Sequence, residues 1–230
     1  MSDMRKSSHR QILKSSAIIG SASLINIVLG MIRQKALAVL LGPAGIGLIG
    51  MLQTVMGTVS SVSGLGLSAS GNRQIAEANG KDDRAALDQI RRALFWATLL
   101  LSAFGATIMW LFREQLAEFI LDAPGKADFV GWLSIGVALS IAAGSQTALL
   151  GGLRRIADIA KLQILSSTLS LVFGVSAIWA FGESGILIFI LTIPFSAFLL
   201  GHLFVVRIGK VSARFPGFKS FFRSGGKWQV

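Results

Sequence analysis

Ile32-Arg33-Gln34-Lys35-Ala36-Leu37-Ala38-Val39-Leu40-Leu41-Gly42-Pro43-Ala44-Gly45-Ile46-Gly47 joins two long apolar runs, and its reading decides how the chain folds. Gly42 supplies unusual φ and Pro43 stops helix propagation, so Leu41 to Gly45 predicts a tight turn between two helices. The helix before the turn reads from Ile12 to about Leu41. At 1.5 Å per residue it spans about 45 Å, so it must tilt, bend or project from a bilayer. The helix after the turn reads from about Ile46 to Gln74 and is rich in Gly, Ser and Thr. Its Gly45, Gly47, Gly50, Gly57, Gly64 and Gly66 are expected to let it bend.

Four further uncharged runs follow, at Ala93–Phe112, Phe129–Leu153, Leu162–Gly182 and Ser184–Val206. Each is about as long as a helix needs to cross ~30 Å of hydrocarbon. The expected fold is therefore an all-α integral membrane bundle of about six transmembrane helices. Residues 1–14 form a basic N-terminal segment, 15–206 the transmembrane bundle, and 207–230 a basic C-terminal segment with interleaved aromatics. With 53% hydrophobic and 14% charged residues and a mean hydropathy of +0.67, a soluble domain is excluded.

Charge sets the orientation. If the gaps alternate inside and outside, starting inside, 18 of the 22 Lys and Arg fall inside. They are Arg5, Lys6, Arg10 and Lys14; Arg73, Lys81, Arg84, Arg91 and Arg92; Arg154, Arg155 and Lys161; and Arg207, Lys210, Arg214, Lys219, Arg223 and Lys227. Arg113 and Lys126 fall outside. Cytoplasmic loops retain positive charge, so both termini are expected in the cytoplasm of a multi-pass inner-membrane protein. The net charge of +11 is thereby explained by loops facing anionic headgroups, and membrane lipids are the expected partners. No basic face alternates with stacking aromatics, so no nucleic acid is expected.

With no Cys, disulfides and thiolate metal sites are excluded. His9 and His202 read as surface or interfacial residues, and neither a metal nor a cofactor is expected. No carboxylate lies deep in a span, and no nucleophile–base pair or phosphate-cradling Gly loop is visible, so an enzyme is not expected.

Arg33 and Lys35 are the anomaly, because they stand where a short outside turn should be uncharged. A charge in the hydrocarbon usually faces an aqueous cavity or a partner. Asn26, Gly30 and Arg33 share one helical face. Facing inward in the outer half of the bilayer, Arg33 offers a planar donor fork suited to phosphate. Facing outward, Arg33 and Lys35 snorkel to the headgroups. Arg73, in Gly71-Asn72-Arg73-Gln74 at the end of the second helix, reads either as a positive anchor or as a phosphate contact at an entry gate. Gln53, Gln146 and Gln163, like Asn26, are uncharged polar residues within spans that either bond across helices or line a cavity.

The stretch Gly30-Met31-Ile32-Arg33-Gln34-Lys35-Ala36-Leu37-Ala38-Val39-Leu40-Leu41-Gly42-Pro43-Ala44-Gly45-Ile46-Gly47 resembles the opening of polysaccharide-unit (Wzx-type) flippases. So do Gly64-Leu65-Gly66, the run Ser70-Gly71-Asn72-Arg73-Gln74-Ile75-Ala76, and the turn Leu149-Leu150-Gly151-Gly152-Leu153-Arg154-Arg155-Ile156. These flippases belong to the multidrug/oligosaccharidyl-lipid/polysaccharide exporter superfamily, and the resemblance covers about residues 10 to 206. It implies one six-helix lobe of a two-lobed exporter. Such an exporter flips undecaprenyl-pyrophosphate-linked oligosaccharides across the inner membrane, by alternating access, for surface polysaccharide or O-antigen assembly. It also implies Arg33, and less directly Arg73, as pyrophosphate contacts. It is silent on Lys35, Asn26 and Gln53. Family members carry two such lobes, so a second six-helix lobe or a homo-oligomer is expected, with the sequence stopping before a seventh helix. The alternatives are a multidrug-type exporter of small molecules and a nontransporting accessory protein or inactive fragment.

Overall fold

The computed structural model describes residues 2–121 and 127–207, with side chains placed for 17–119 and 127–207. Residues 122–126, the side chains of the N-terminal basic segment and residues 208–230 lie outside that description. All the described secondary structure is helical. Helix α1 covers Ser2–Ser63, α2 Leu67–Gly80, α3 Arg84–Leu111, α4 Arg113–Leu121 and α5 Ala127–Gly152. Helix α6, Ile156–Leu169, continues through a π turn, Ser170–Gly174, into α7, Val175–Phe181. A short 3-10 turn, Gly182–Ser184, leads to α8, Gly185–Val206.

Four stretches are long and apolar enough to cross a membrane: Ala17–Ser63, Arg84–Leu111, Ala127–Gly152 and Ile156–Val206. The first and last, at 47 and 51 residues, would each reach about 70 Å or more as straight helices, roughly twice a bilayer core. Each is broken by a glycine with positive φ: Gly42 (φ 67°, ψ −174°) and Gly182 (φ 58°, ψ −132°). Four stretches thus make six crossings, the all-α membrane bundle expected from the apolar runs.

Packing shows that the chain turns back at Gly42. Leu37 before the kink and Ile49 after it share one buried cluster with Ile178 and Ile186, which flank the Gly182 turn. From there the second arm of α1 descends beside α5. Met56 lies against Gly136, then Ser68 of α2 against Gly144, Asn72 against Gly151 and Ile75 against Gly152. Met109, Leu133, Val137, Phe189 and Ile190 belong to the same cluster. Gly42 holds a φ/ψ combination almost restricted to glycine. Gly42→Ala is therefore expected to cost about 1–2 kcal/mol, read as a lower midpoint of thermal unfolding in detergent. An unchanged midpoint would show that the turn relaxes.

Several boundaries differ from the sequence expectation. The second crossing does not continue to Gln74. Leu65 (φ 44°) and Gly66 (φ 67°) are consecutive left-handed residues, which no α-helix accommodates, so the helix stops at Ser63. Arg73 consequently lies inside the separate helix α2 and does not end the second crossing. Residues 75–91, between the second helix and the next uncharged run, are mostly helical, closed by a turn in which the Asp83 carboxylate accepts from the Ala86 amide at 3.0 Å. That cap starts α3 at Arg84, ahead of the uncharged run that begins at Ala93. The lead-in expected over 1–14 is helical from Ser2. The bending assigned to the Gly-rich helix is concentrated at Gly64–Gly66, whereas Gly47, Gly50 and Gly57 sit in regular helix with open space at their Cβ positions.

Candidate anion-binding seam

The first arm of α1 buries one narrow stripe. Ala22 and Leu37 are buried, and Asn26 and Arg33 between them are half-buried. The spacing of four, seven and four residues keeps all of them on one helical face. Leu24, Ile25, Ile27, Val28, Met31 and Ile32 are exposed on the other faces, where lipid is their solvent.

Arg33 points inward. Its Nη1 donates to Ser170 Oγ at 3.4 Å, and its guanidinium carbon stands 5.9 Å from the centroid of the Phe189 ring. Ser170 is fully buried and Phe189 nearly so. Ser170 lies close to the midpoint of the 156–181 crossing, so the charge is held deep in the bundle. It opens the π turn, a widened turn common at functional positions. Gly174, at the other end of that turn, leaves room for the Phe189 ring: a Cβ there would stand 2.8 Å from Phe189 Cδ2.

No ion pair among the described residues includes Arg33. A cation in a transmembrane helix costs about 2.5–3.5 kcal/mol even by insertion scales, and one long hydrogen bond with one ring face offsets only part of that. Two buried oxygens on the same seam lack hydrogen-bond partners: Asn26 Oδ1, two turns from Arg33, and Ser166 Oγ, one turn before Ser170. The arrangement is a planar donor fork beside one buried hydroxyl, with a further hydroxyl and an amide along the seam and, among the described residues, no ion-paired carboxylate to neutralise it. An unpaired guanidinium fork of this kind has the chemistry to accept an anion.

The remaining sequence candidates lie elsewhere. Lys35 is exposed and lines a shallow groove of about 430 Å³ with Ile32, Ala36, Val39 and Leu40, on a different face from Arg33. Arg73 is exposed on α2, which packs against α3 and α5. Gln53 is half-buried on the second arm of α1. Of the other polar residues, Gln163 is exposed, and Gln146 packs against Gly201 with a buried Oε1 that has no partner. Sequence reasoning missed Ser166, Ser170 and Phe189. The two serines appear in the run Ser166-Ser167-Thr168-Leu169-Ser170, an unusual density of hydroxyls for a span. A second concavity, about 370 Å³, opens at the break between α1 and α2, where Ser60, Ser61, Ser68 and Ser140 line it together with glycine and apolar residues.

Residues 12–227 match a protein family described as "Polysaccharide biosynthesis protein". No curated protein matches the chain significantly, and neither does any solved structure.

Proposed function

The chain belongs to the polysaccharide biosynthesis protein family, and from that premise we propose that it carries a lipid-linked oligosaccharide from one leaflet to the other. The family supports a role in polysaccharide synthesis and export, and in this reading the chain transports and does not catalyse. In this reading the substrate is an oligosaccharide on a polyprenyl pyrophosphate, used for surface polysaccharide or O-antigen assembly, and the membrane is the bacterial inner membrane. The Arg154 end of the bundle faces the cytoplasm, together with both termini.

One observation carries the reading: Arg33 is turned into the bundle, in the bilayer's interior, with no acidic partner among the described residues. A diphosphate supplies the missing counter-charge and matches the fork of the guanidinium. Ser170 is its hydrogen-bonded companion on the seam, Asn26 follows two turns away on the same helix face, and the serines at the concavity between α1 and α2 are the candidates to meet sugar. The prenyl chain stays in lipid. Rocking of this lobe against a second one, or against a second copy, exchanges the open side. The open helix face at Gly47, Gly50 and Gly57 supports such a partner, since small residues let helices approach closely in lipid. An exporter of hydrophobic cations fits less well, because Arg33 would repel its cargo.

The test is a leaflet assay. Membrane vesicles from cells making the chain are loaded on one face with labelled oligosaccharide-pyrophosphate-prenol and probed with an impermeant lectin. Transfer to the lectin-accessible face is expected, well above vesicles lacking the chain. Equal labelling in both preparations, with the protein inserted, overturns the proposal.

A further inference from the structure

At the Arg113 end of the bundle two tryptophans, two carboxylates and one guanidinium meet. Trp110 lies in the last turn of α3, Arg113 and Glu114 open α4, and Asp128 and Trp132 stand one turn apart at the start of α5. Spacings of three and four residues put Trp110 with Arg113, and Asp128 with Trp132, on one face each. Gly131 lets the two faces touch, for a Cβ there would stand 3.1 Å from Trp110 Cζ3 and 3.1 Å from Arg113 Cδ. The indoles of Trp110 and Trp132 pack edge to face, with centroids 6.5 Å apart and planes at 89°. The Arg113 guanidinium carbon stands 5.0 Å from the Trp110 ring centroid, and its Nη1 donates to the Trp110 carbonyl at 3.3 Å.

Arg113 is the sheltered member of the group. Its side chain is 28% exposed, whereas those of Glu114 and Asp128 are 73% and 89% exposed. The guanidinium stands 3.7 Å from Glu114 and 3.9 Å from Asp128, too far for a hydrogen bond. Both carboxylates are thus held near it by charge and keep their lone pairs for another donor. Trp110 and Trp132 are exposed as well, so indole surface stays open beside these acceptors. Interfacial anchoring uses the indole alone. Open indole with acceptors around it matches a ligand that has an apolar C–H face and a rim of hydroxyl donors.

We propose that Trp110, Trp132, Glu114 and Asp128 form a carbohydrate-binding platform at the Arg113 end, which takes pyranose rings of the oligosaccharide after transfer. The platform deepens the transport reading above and rests on it for the identity of the ligand. A pyranose stacks its C–H face on an indole while its hydroxyls donate to the carboxylates. With the Arg154 end in the cytoplasm, this end lies at the level of the outer headgroups. Sugars of a prenyl-linked substrate stand there, just beyond their diphosphate. Arg113 is a positioning residue, packed on Trp110 and holding the two acids.

The test uses the full chain in nanodiscs and the phosphate-free oligosaccharide that mild acid releases from the lipid-linked pool of the cells making the chain. Saturation-transfer NMR reads contact at the sugar C–H protons. Transfer is expected with wild type, and titration should show Trp132→Leu binding about tenfold and Asp128→Asn about fivefold more weakly. Asp128 is exposed, so the asparagine variant keeps the fold even if the leucine variant does not. Arg33→Ala should bind as wild type does, because the probe carries no phosphate. Absence of transfer with wild type overturns the proposal. So does wild-type affinity in Asp128→Asn or in folded Trp132→Leu, which would leave the indoles as interfacial anchors. Sugar binding without leaflet transfer by the wild-type chain would sink the transport reading and leave the platform standing, and leaflet transfer without sugar binding would do the reverse.

Discussion

Arg33→Ala is expected to lower oligosaccharide-lipid translocation roughly 10- to 100-fold, the equivalent of one or two charge-assisted hydrogen bonds to a diphosphate. Arg33→Lys keeps the charge, loses the planar fork, and should fall between wild type and alanine. Arg33→Leu separates a functional from a structural role. Deep in the bundle the guanidinium has one long hydrogen bond, to Ser170 at 3.4 Å, and the Phe189 ring as described partners. Replacing it by an apolar side chain removes a desolvation cost while still filling the space. The leucine variant should therefore unfold at the same temperature as wild type or higher, yet transport poorly. A trade of this kind marks residues kept for activity at the expense of stability. If Arg33→Leu unfolds earlier and all three variants transport normally, Arg33 is a structural tether and the carrier reading loses its electrostatic basis.

The second large effect is on stability. Gly152 ends α5 against α2, where an added Cβ would lie 2.6 Å from Ile75 Cβ, 2.7 Å from Ile75 Cγ2 and 2.8 Å from the Asn72 carbonyl oxygen. Ile75 is β-branched, fully buried and fixed in χ1, so its Cβ cannot move aside without moving the backbone. Gly152→Ala is expected to cost about 3 kcal/mol, at the upper end of overpacking penalties. The measurement is the unfolding midpoint in detergent, with Gly47→Ala as the control. Gly47 has open space at its Cβ position, and alanine there should stabilise the helix slightly. Equal midpoints for the two variants would show that α2 is not seated on α5 as described.

Much of the architecture was legible in the chain. Six crossings follow from the length of the apolar runs and from the breaks at Gly42-Pro43 and Gly182, because hydrophobic thickness and backbone sterics act locally. The inward direction of Arg33 was one of two open readings. Helical spacing placed Asn26 and Arg33 together, but it cannot say which face of a helix meets protein and which meets lipid when both are apolar. The end of the second crossing was misplaced for a related reason. Leu65 reads as an ordinary span residue, and its positive φ occurs at a break where Ser63 packs against Gly105 and α2 turns onto α5.

Hydropathy and glycine placement are properties of short segments, and they are enough to specify a membrane-crossing helical bundle with a cation set into its first helix. What that cation touches depends on a partner 137 residues away. Ser170 acquires its position from a π turn accommodated by Gly174 and Phe189, and no local pattern encodes which two helices will pack. Association between helices in lipid is governed by fit and by polar pairing across the whole bundle. The seam around Arg33 is for that reason a product of the assembled bundle, and its members are separate in the chain.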